Sequence, residues 1–310
     1  MNAPFSTHEP SRIVVVGAAH MDRTANLLHP AQPGQSIPGT TAERPGGAAL
    51  NVASNLAALG HRPELYSIVS HDAAAQTLKA ALQNRHVSFQ AQFNSALPTA
   101  SYFSVVNPDG TLAIAVADMA IYDAFEATPL KATLEQLSKN DWLILDANLP
   151  SSELVKLASY SKAKTVGLTV SAAKSQRLHT LLANMDILLT NAAEAEVLAG
   201  GEASAQESSD PVQSLARLGV PIVVMTNSDK PVVAIDHGQI HEFEVPAFVK
   251  TQADGDVIGA GDALATGVID SLIRGRTLEN GVVRGIRMAH QVLRVAGPWS
   301  DQLGIDIQAN

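Results

Sequence analysis

Asp256-Val257-Ile258-Gly259-Ala260-Gly261-Asp262 runs straight into Ala263-Leu264-Ala265-Thr266-Gly267-Val268-Ile269, a glycine turn that opens an apolar helix. Two glycines flanking one alanine leave backbone N–H groups open to close approach by an anion, and the following helix adds the positive end of its dipole. The stretch therefore reads as an anion cradle formed by Gly259, Ala260 and Gly261. Asp262 is expected at the helix cap, its carboxylate held by the first turn and aimed at whatever the cradle binds, which makes it a candidate general base. The competing reading of Asp262 is a plain N-cap after a glycine-rich turn.

The rest of the chain supplies a sheet for that turn to sit on. Ile13-Val14-Val15-Val16-Gly17 is a β-branched run ended by glycine, as expected of a strand covered on both faces. Further strands are predicted at 65–69, 142–145, 165–169, 187–189 and 222–225, with helical segments between them, among them 73–82. Such β-then-α alternation implies a doubly wound, mainly parallel sheet with helices on both faces. Two segments fall outside that pattern. Residues 23–44 carry Pro33, Gly34, Pro38 and Gly39 and no helical period, and Ala100–Val106 and Thr111–Val116 form a hairpin about the turn Asn107-Pro108-Asp109-Gly110. Together they are expected to form a small accessory sheet at about 23–44 and 98–118, inserted in one domain spanning 1–310.

The chain has 310 residues, 46% hydrophobic and 16% charged, with net charge -9 and no basic block, which argues against a nucleic-acid or anionic-membrane partner. No run approaches the ~18 apolar residues of a membrane span, and the first dozen residues lack the apolar core of a signal peptide. The absence of cysteine excludes disulfides, thiolate metal sites and cysteine nucleophiles, and fits a cytoplasmic address.

Three more groups of residues bear on chemistry. Asp22 lies just beyond the first strand, at the edge where open α/β sheets gather ligands, so it is a candidate for binding a hydroxyl. Gly46-Gly47 leads into a small-residue helix with Asn51 one turn inside, whose amide is placed to meet a substrate hydroxyl. Asn191 and Glu194 follow the strand at 187–189 at helical spacing and would suit a water-rich magnesium site, or simply a helix N-terminus with an early acid.

In that order, Gly46-Gly47-x-x-x-Asn51, Asn191-x-x-Glu194 and Asp256-x-x-Gly259-Ala260-Gly261-Asp262, with Asp22, the chain resembles the ribokinase-like (PfkB) carbohydrate kinases over essentially all its length beyond the first ten residues. Ala117-Asp118-Met119, Asp146-Ala147-Asn148-Leu149, Ser171-x-x-Lys174 and the run 191–196 are similar to the pseudouridine kinases within that family. The resemblance implies a ribokinase-like fold with a small β lid, ATP and Mg2+, K+ as a further candidate ion, and γ-phosphoryl transfer to a primary hydroxyl. It implies Asp262 as base, with Gly259, Ala260 and Gly261 as the anion hole. Asp22, Gly46, Gly47, Asn51, Asp118 and Asn148 would hold the nucleoside or sugar, while Asn191, Thr226 and Asn227 would serve ATP and Glu194 the metal. A homodimer pairing through the lid is also implied. The chain departs from the family at His20, where asparagine is usual, at Ser70-His71-Asp72, and at the turn Thr226-Asn227-Ser228-Asp229-Lys230-Pro231. A kinase of another nucleoside or of a free sugar, and a non-catalytic relative that has lost efficient ATP use, are the alternative readings.

Overall fold

The structure, a computed structural model, describes residues 11–200, 219–247 and 259–294. Its main sheet has nine strands: β1 (Ile13–Val16), β4 (Glu64–Val69), β5 (Ser88–Phe93), β8 (Trp142–Asp146), β9 (Lys164–Leu168), β10 (Ile187–Asn191), β11 (Ile222–Asn227), β12 (Lys230–Asp236) and β13 (Gln239–Phe243). They lie in the order β13-β12-β11-β10-β9-β8-β1-β4-β5. Every pairing from β11 across to β5 is parallel, and β12 and β13 add an antiparallel end. The chain winds outward from β1 to β4 and β5, then returns to β8 on the other side of β1 and continues to β11. That reversal opens a crevice at the carboxyl ends of β1 and β8, where open α/β sheets bind ligands.

Alternation along β1 distributes its side chains between two cores. Val14 and Val16 enter one apolar layer, Ile13 and Val15 the other, and all four are 2% exposed or less. Counting α-helices of seven residues or more among the described residues, α1 (Ala48–Ala58), α2 (Ala73–Asn84), α5 (Ala260–Ile273) and α6 (Leu278–Leu293) cover the Ile13 face. α3 (Ser151–Ser159) and α4 (Ala192–Leu198) cover the other. α5 and α6 meet at their glycines: a Cβ on Gly267 would lie 2.5 Å from Gly285 Cα, and one on Gly285 2.5 Å from the Leu264 carbonyl oxygen. At the far end of α5 the buried Asp270 carboxylate takes His61 and Arg274 at 2.7 Å and Arg284 at 3.0 Å, and Arg274 also donates to the Leu59 carbonyl that ends α1.

The second sheet has four strands in the order β3-β2-β6-β7: β2 (His20–Leu27), β3 (Gly39–Gly46), β6 (Ser101–Val106) and β7 (Leu112–Asp118). The hairpin turn is the expected one, with Asn107 N–H donating to the Thr111 oxygen and Gly110 N–H to the Asn107 oxygen. On β7, Leu112, Ile114 and Val116 present alternate side chains that are 55–60% exposed. Two differences from the sequence reading stand out. Asp22 belongs to β2 of this sheet rather than to a loop after β1, because the chain re-enters extended structure only three residues after β1 ends. Strand β5, with Phe89 and Ala91 facing the core between outward Gln90 and Gln92, and the hairpin β12–β13 were absent from the predicted set. Among the described residues no helix is long and apolar enough to cross a membrane.

Candidate active site

The glycine turn seats α5 in an unexpected way. Gly259 is the N-cap, in the left-handed region at φ 89, and no side chain caps the helix. Asp262, placed at the cap by the sequence reading, instead lies inside the first turn; glycine in the left-handed conformation starts the helix earlier, at Ala260. Asp256, Val257 and Ile258 lie outside the described residues. Freed from capping, the Asp262 carboxylate accepts a hydrogen bond from Asn51 Nδ2 at 2.7 Å, bridging α5 to α1. It borders a cavity of about 250 Å3 and is half-buried. Burial pushes its pKa up from 3.8 to about 7; the Asn51 bond opposes the rise, and the negative charges of Asp146, Glu194 and Asp22 add to it. A carboxylate poised near neutrality suits proton abstraction from an alcohol. Gly261 next to it is open, since a Cβ there would meet nothing within 4 Å.

Asp146, at the end of β8, organises the crevice. Wholly buried, it accepts the backbone N–H groups of Ala18 (2.8 Å), Ala49 (3.1 Å) and Asn148 (2.9 Å), tying the ends of β1 and β8 to the start of α1. Gly17 is required beside it, because a Cβ there would fall 2.3 Å from the carboxyl carbon. Sequence reasoning did not assign Asp146 a role; its signal was an acid ending a fully apolar strand. Asn148 is 2% exposed, accepts from Lys174 Nζ at 2.5 Å through Oδ1, and leaves Nδ2 buried without a partner, a donor free for a ligand.

The carboxylate of Asp22, 6% exposed as a residue, meets His20 Nε2 at 3.1 Å and Arg44 Nε at 3.8 Å. A Cβ on Gly46 would lie 2.3 Å from Asp22 Oδ2, and one on Gly47, at φ 110, 2.4 Å from the Ala18 oxygen. The glycine pair thus lets β3 and α1 close against Asp22 and β1. Asn51, expected to offer its amide N–H to a substrate, directs it to Asp262 and leaves its own Oδ1 buried and unpartnered. Asp118 is exposed at the end of β7, opposite Ser101, and bonds to none of the other candidate residues.

Asn191 and Glu194 form a reciprocal capping box on α4, Asn191 Oδ1 accepting from Glu194 N (3.0 Å) and Glu194 Oε2 from Asn191 N (3.1 Å). Both readings of this pair meet here, because the same two residues line the cavity that holds Gly259, Gly261 and Asp262. Glu194 Oε2 also accepts from the Thr169 hydroxyl, a partner that no sequence spacing revealed. Among the described residues no cluster of three side chains could hold a metal by itself, so magnesium at Glu194 would need waters and phosphate oxygens to complete its shell, as that ion prefers. A second, more apolar cavity of about 490 Å3 continues from the same turn, sharing Thr226, Gly261 and Leu264 and extending to Val232, Ile286 and His290. Asn227 pairs with Lys230 at the end of β11 and lines neither cavity; Ser228, at φ 53, turns the chain into β12.

Two adjoining cavities meet at the N-terminus of a glycine-opened helix, with a carboxylate of pKa about 7 beside it, and a small sheet meets β1 and α1 at Asp22, Gly46 and Gly47. Fold and site together define a phosphotransferase that acts on an alcohol group. The chain belongs to the pfkB family of carbohydrate kinases, whose family model matches residues 10–302, and is an ATP-dependent kinase of that class. It is 26% identical over 279 residues to the pseudouridine kinase of Escherichia coli, with 88% of each chain covered. It is 27% identical over 298 residues to the cytidine kinase of Thermococcus kodakarensis, covering 93% of this chain and 98% of that one. Among solved structures, a carbohydrate kinase from Agrobacterium tumefaciens matches with TM-score 0.79 and 28% identity, covering 94% of this chain and 93% of that one.

Proposed function

We propose that this kinase phosphorylates the 5′-hydroxyl of pseudouridine, with Asp262 as the general base. The observation that carries the catalytic part is the Asp262 carboxylate, half-buried, held by Asn51 and raised to about 7 beside an open glycine turn. The substrate's primary hydroxyl gives its proton to Asp262 as its oxygen attacks the γ-phosphorus, and ADP leaves. The N–H groups of the Gly259–Gly261 turn stabilise the negative charge on the phosphoryl oxygens. Asp22, the backbone at Gly46 and Gly47, Asn148 and Asp118 hold the nucleoside, while Thr226, which lines both cavities, lies along ATP. Magnesium, when bound, offsets the charge of the phosphate oxygens. Glu194 and Asn191 orient its waters. The four-stranded sheet acts as a lid that excludes water, and its exposed Leu112, Ile114 and Val116 pair with the lid of a second copy in a homodimer. We place the enzyme in the cytoplasm, where ATP and free nucleosides meet.

The nucleoside assignment rests on the pseudouridine kinase relative and on the segments 117–119, 146–149 and 191–196. The cytidine kinase relative, at 27% identity against 26%, favours another nucleoside as the second reading. A coupled ADP-release screen over pseudouridine, uridine, cytidine, adenosine, ribose and 2-keto-3-deoxygluconate separates the two. Fastest turnover is expected with pseudouridine; preference for any other acceptor removes that assignment. Repeating the screen in Na+ and K+ salts reads the monovalent-ion requirement.

A further inference from the structure

His20 stands in β2 two residues before Asp22, so both side chains emerge on one face of the small sheet. Its imidazole is bonded at both nitrogens: Nε2 lies 3.1 Å from Asp22 Oδ1 and Nδ1 lies 3.3 Å from the Tyr122 hydroxyl. The His20 side chain is only 12% exposed and Tyr122 is 1% exposed, so neither contact is readily exchanged for water.

The partners decide where the proton sits. A carboxylate can only accept, so Nε2 carries a hydrogen, and in the neutral imidazole Nδ1 is then the acceptor for the Tyr122 O–H. The result is a directed chain, Tyr122 O–H to His20 Nδ1 and His20 Nε2–H to Asp22 Oδ1, running from the buried Tyr122 of the short helix at Ala120–Ala124 to the small sheet. The other charged groups around it are Arg44, 3.8 Å from Asp22 Oδ2 on the neighbouring strand, and the wholly buried Asp146. Gly46 leaves no room for a side chain beside Oδ2, so β3 closes directly on the Asp22 carboxylate.

We infer that His20 is the positioning residue for substrate binding: through Tyr122 it locks the Asp22 carboxylate so that its remaining lone pairs face two adjacent hydroxyls of a ribosyl ring. This rests on the reading of Asp22 as a substrate residue. His20 touches neither the reacting hydroxyl nor ATP, so its loss acts on acceptor affinity. A buried, hydrogen-bonded network of this kind holds a geometry that a lone carboxylate on a sheet edge would sample only part of the time.

The test uses the full-length enzyme with pseudouridine and with ribose, both of which carry the vicinal hydroxyls. His20→Ala is expected to raise the acceptor KM tenfold or more, with kcat within about threefold and the ATP KM unchanged. His20→Asn, which restores one N–H donor, should recover most of that loss, and Tyr122→Phe should give an intermediate KM. An unchanged acceptor KM in His20→Ala overturns the inference, as does a parallel loss of kcat and both KM values that His20→Asn fails to rescue, the sign of a packing role. Nitrogen-15 imidazole spectra of the wild-type protein provide a reading that needs no variant. The Nε2–H tautomer is expected, and a proton resident on Nδ1 refutes the proposed chain. Asp22→Asn separates the two claims: if it leaves acceptor binding intact, the reading of Asp22 fails, whereas the spectra still report on His20.

Discussion

Replacing Asp262 with Asn tests the catalytic assignment in a way that the geometry makes unusually clean. Because Gly259 caps α5, the substitution removes no cap, and an asparagine can keep the 2.7 Å contact by turning its own oxygen toward Asn51 Nδ2. The fold should therefore survive, and stability should change with a definite sign. A carboxyl whose folded pKa is raised from 3.8 to about 7 binds more protons in the folded state, so it costs stability as pH rises through that interval, fully so above 7. The rise corresponds to at most about 4 kcal/mol, an upper bound because the group borders an open cavity. Asp262→Asn should match wild type in urea unfolding near pH 4 and be the more stable protein at pH 8. Turnover should move the other way, falling by about 10²–10⁴, the range for a positioned general base. In the wild type, kcat/KM should climb with pH to a plateau, with its midpoint near 7. The assay is coupled ADP release beside calorimetric acceptor binding. A variant with kcat within a few-fold of wild type would refute the role of Asp262, and a variant that is less stable at pH 8 would refute the account of its environment.

Three further outcomes follow from other parts of the molecule. Glu194→Gln should raise the magnesium concentration needed for half-maximal rate and lower kcat, leaving nucleoside binding measured without ATP nearly intact; loss of that binding would contradict its assignment. Asp270→Ala should destabilise the protein by about 3–5 kcal/mol in urea unfolding, because it leaves the largely buried Arg284 guanidinium without its carboxylate. Its partners hold the Asp270 pKa below the ordinary carboxylate value. The stability it confers is therefore present above that ordinary value and lost as pH falls through the depressed one, so the gap between wild type and variant should close in strong acid. Light scattering at micromolar concentration should give a dimer, and Ile114→Lys, which puts a charge into the exposed apolar row on β7, should shift it to monomer; a wild-type monomer would sink the proposed pairing.

What the sequence disclosed depended on how local the cause was. The parallel strands were legible because a strand buried on both faces must be an unbroken apolar run, as 13–16, 142–145 and 187–189 are, and the hairpin at 107–110 because each turn residue carries its own conformational reason. β5 was missed although Ser88-Phe89-Gln90-Ala91-Gln92 alternates cleanly, since an edge strand rich in glutamine lacks the apolar run that marked the others. In the site, the motif residues Asp262, Gly259, Asn191 and Glu194 border one cavity. Their partnerships were not legible. Asn51 with Asp262, Asp146 with Ala18 and Ala49, and Thr169 with Glu194 join residues far apart in the chain, and only the register of the sheet brings them together.

The contact between Gly267 and Gly285 sets a calibre. Where two helices meet backbone to backbone, no flexible side chain lies between them to be compressed or to swing aside, so the spacing of α5 and α6 is fixed by hard contact. Both helices wall the larger cavity, Leu264 from one and Ile286 and His290 from the other. Its width is therefore a machined dimension rather than an adaptable one, and the same gauge holds the start of α5, with Asp262, at a constant height above the sheet. The far side of that cavity is walled by Ser228 and Asp229 between β11 and β12, by Val232 of β12 and by residues 245–247, none of which belongs to the four-stranded sheet.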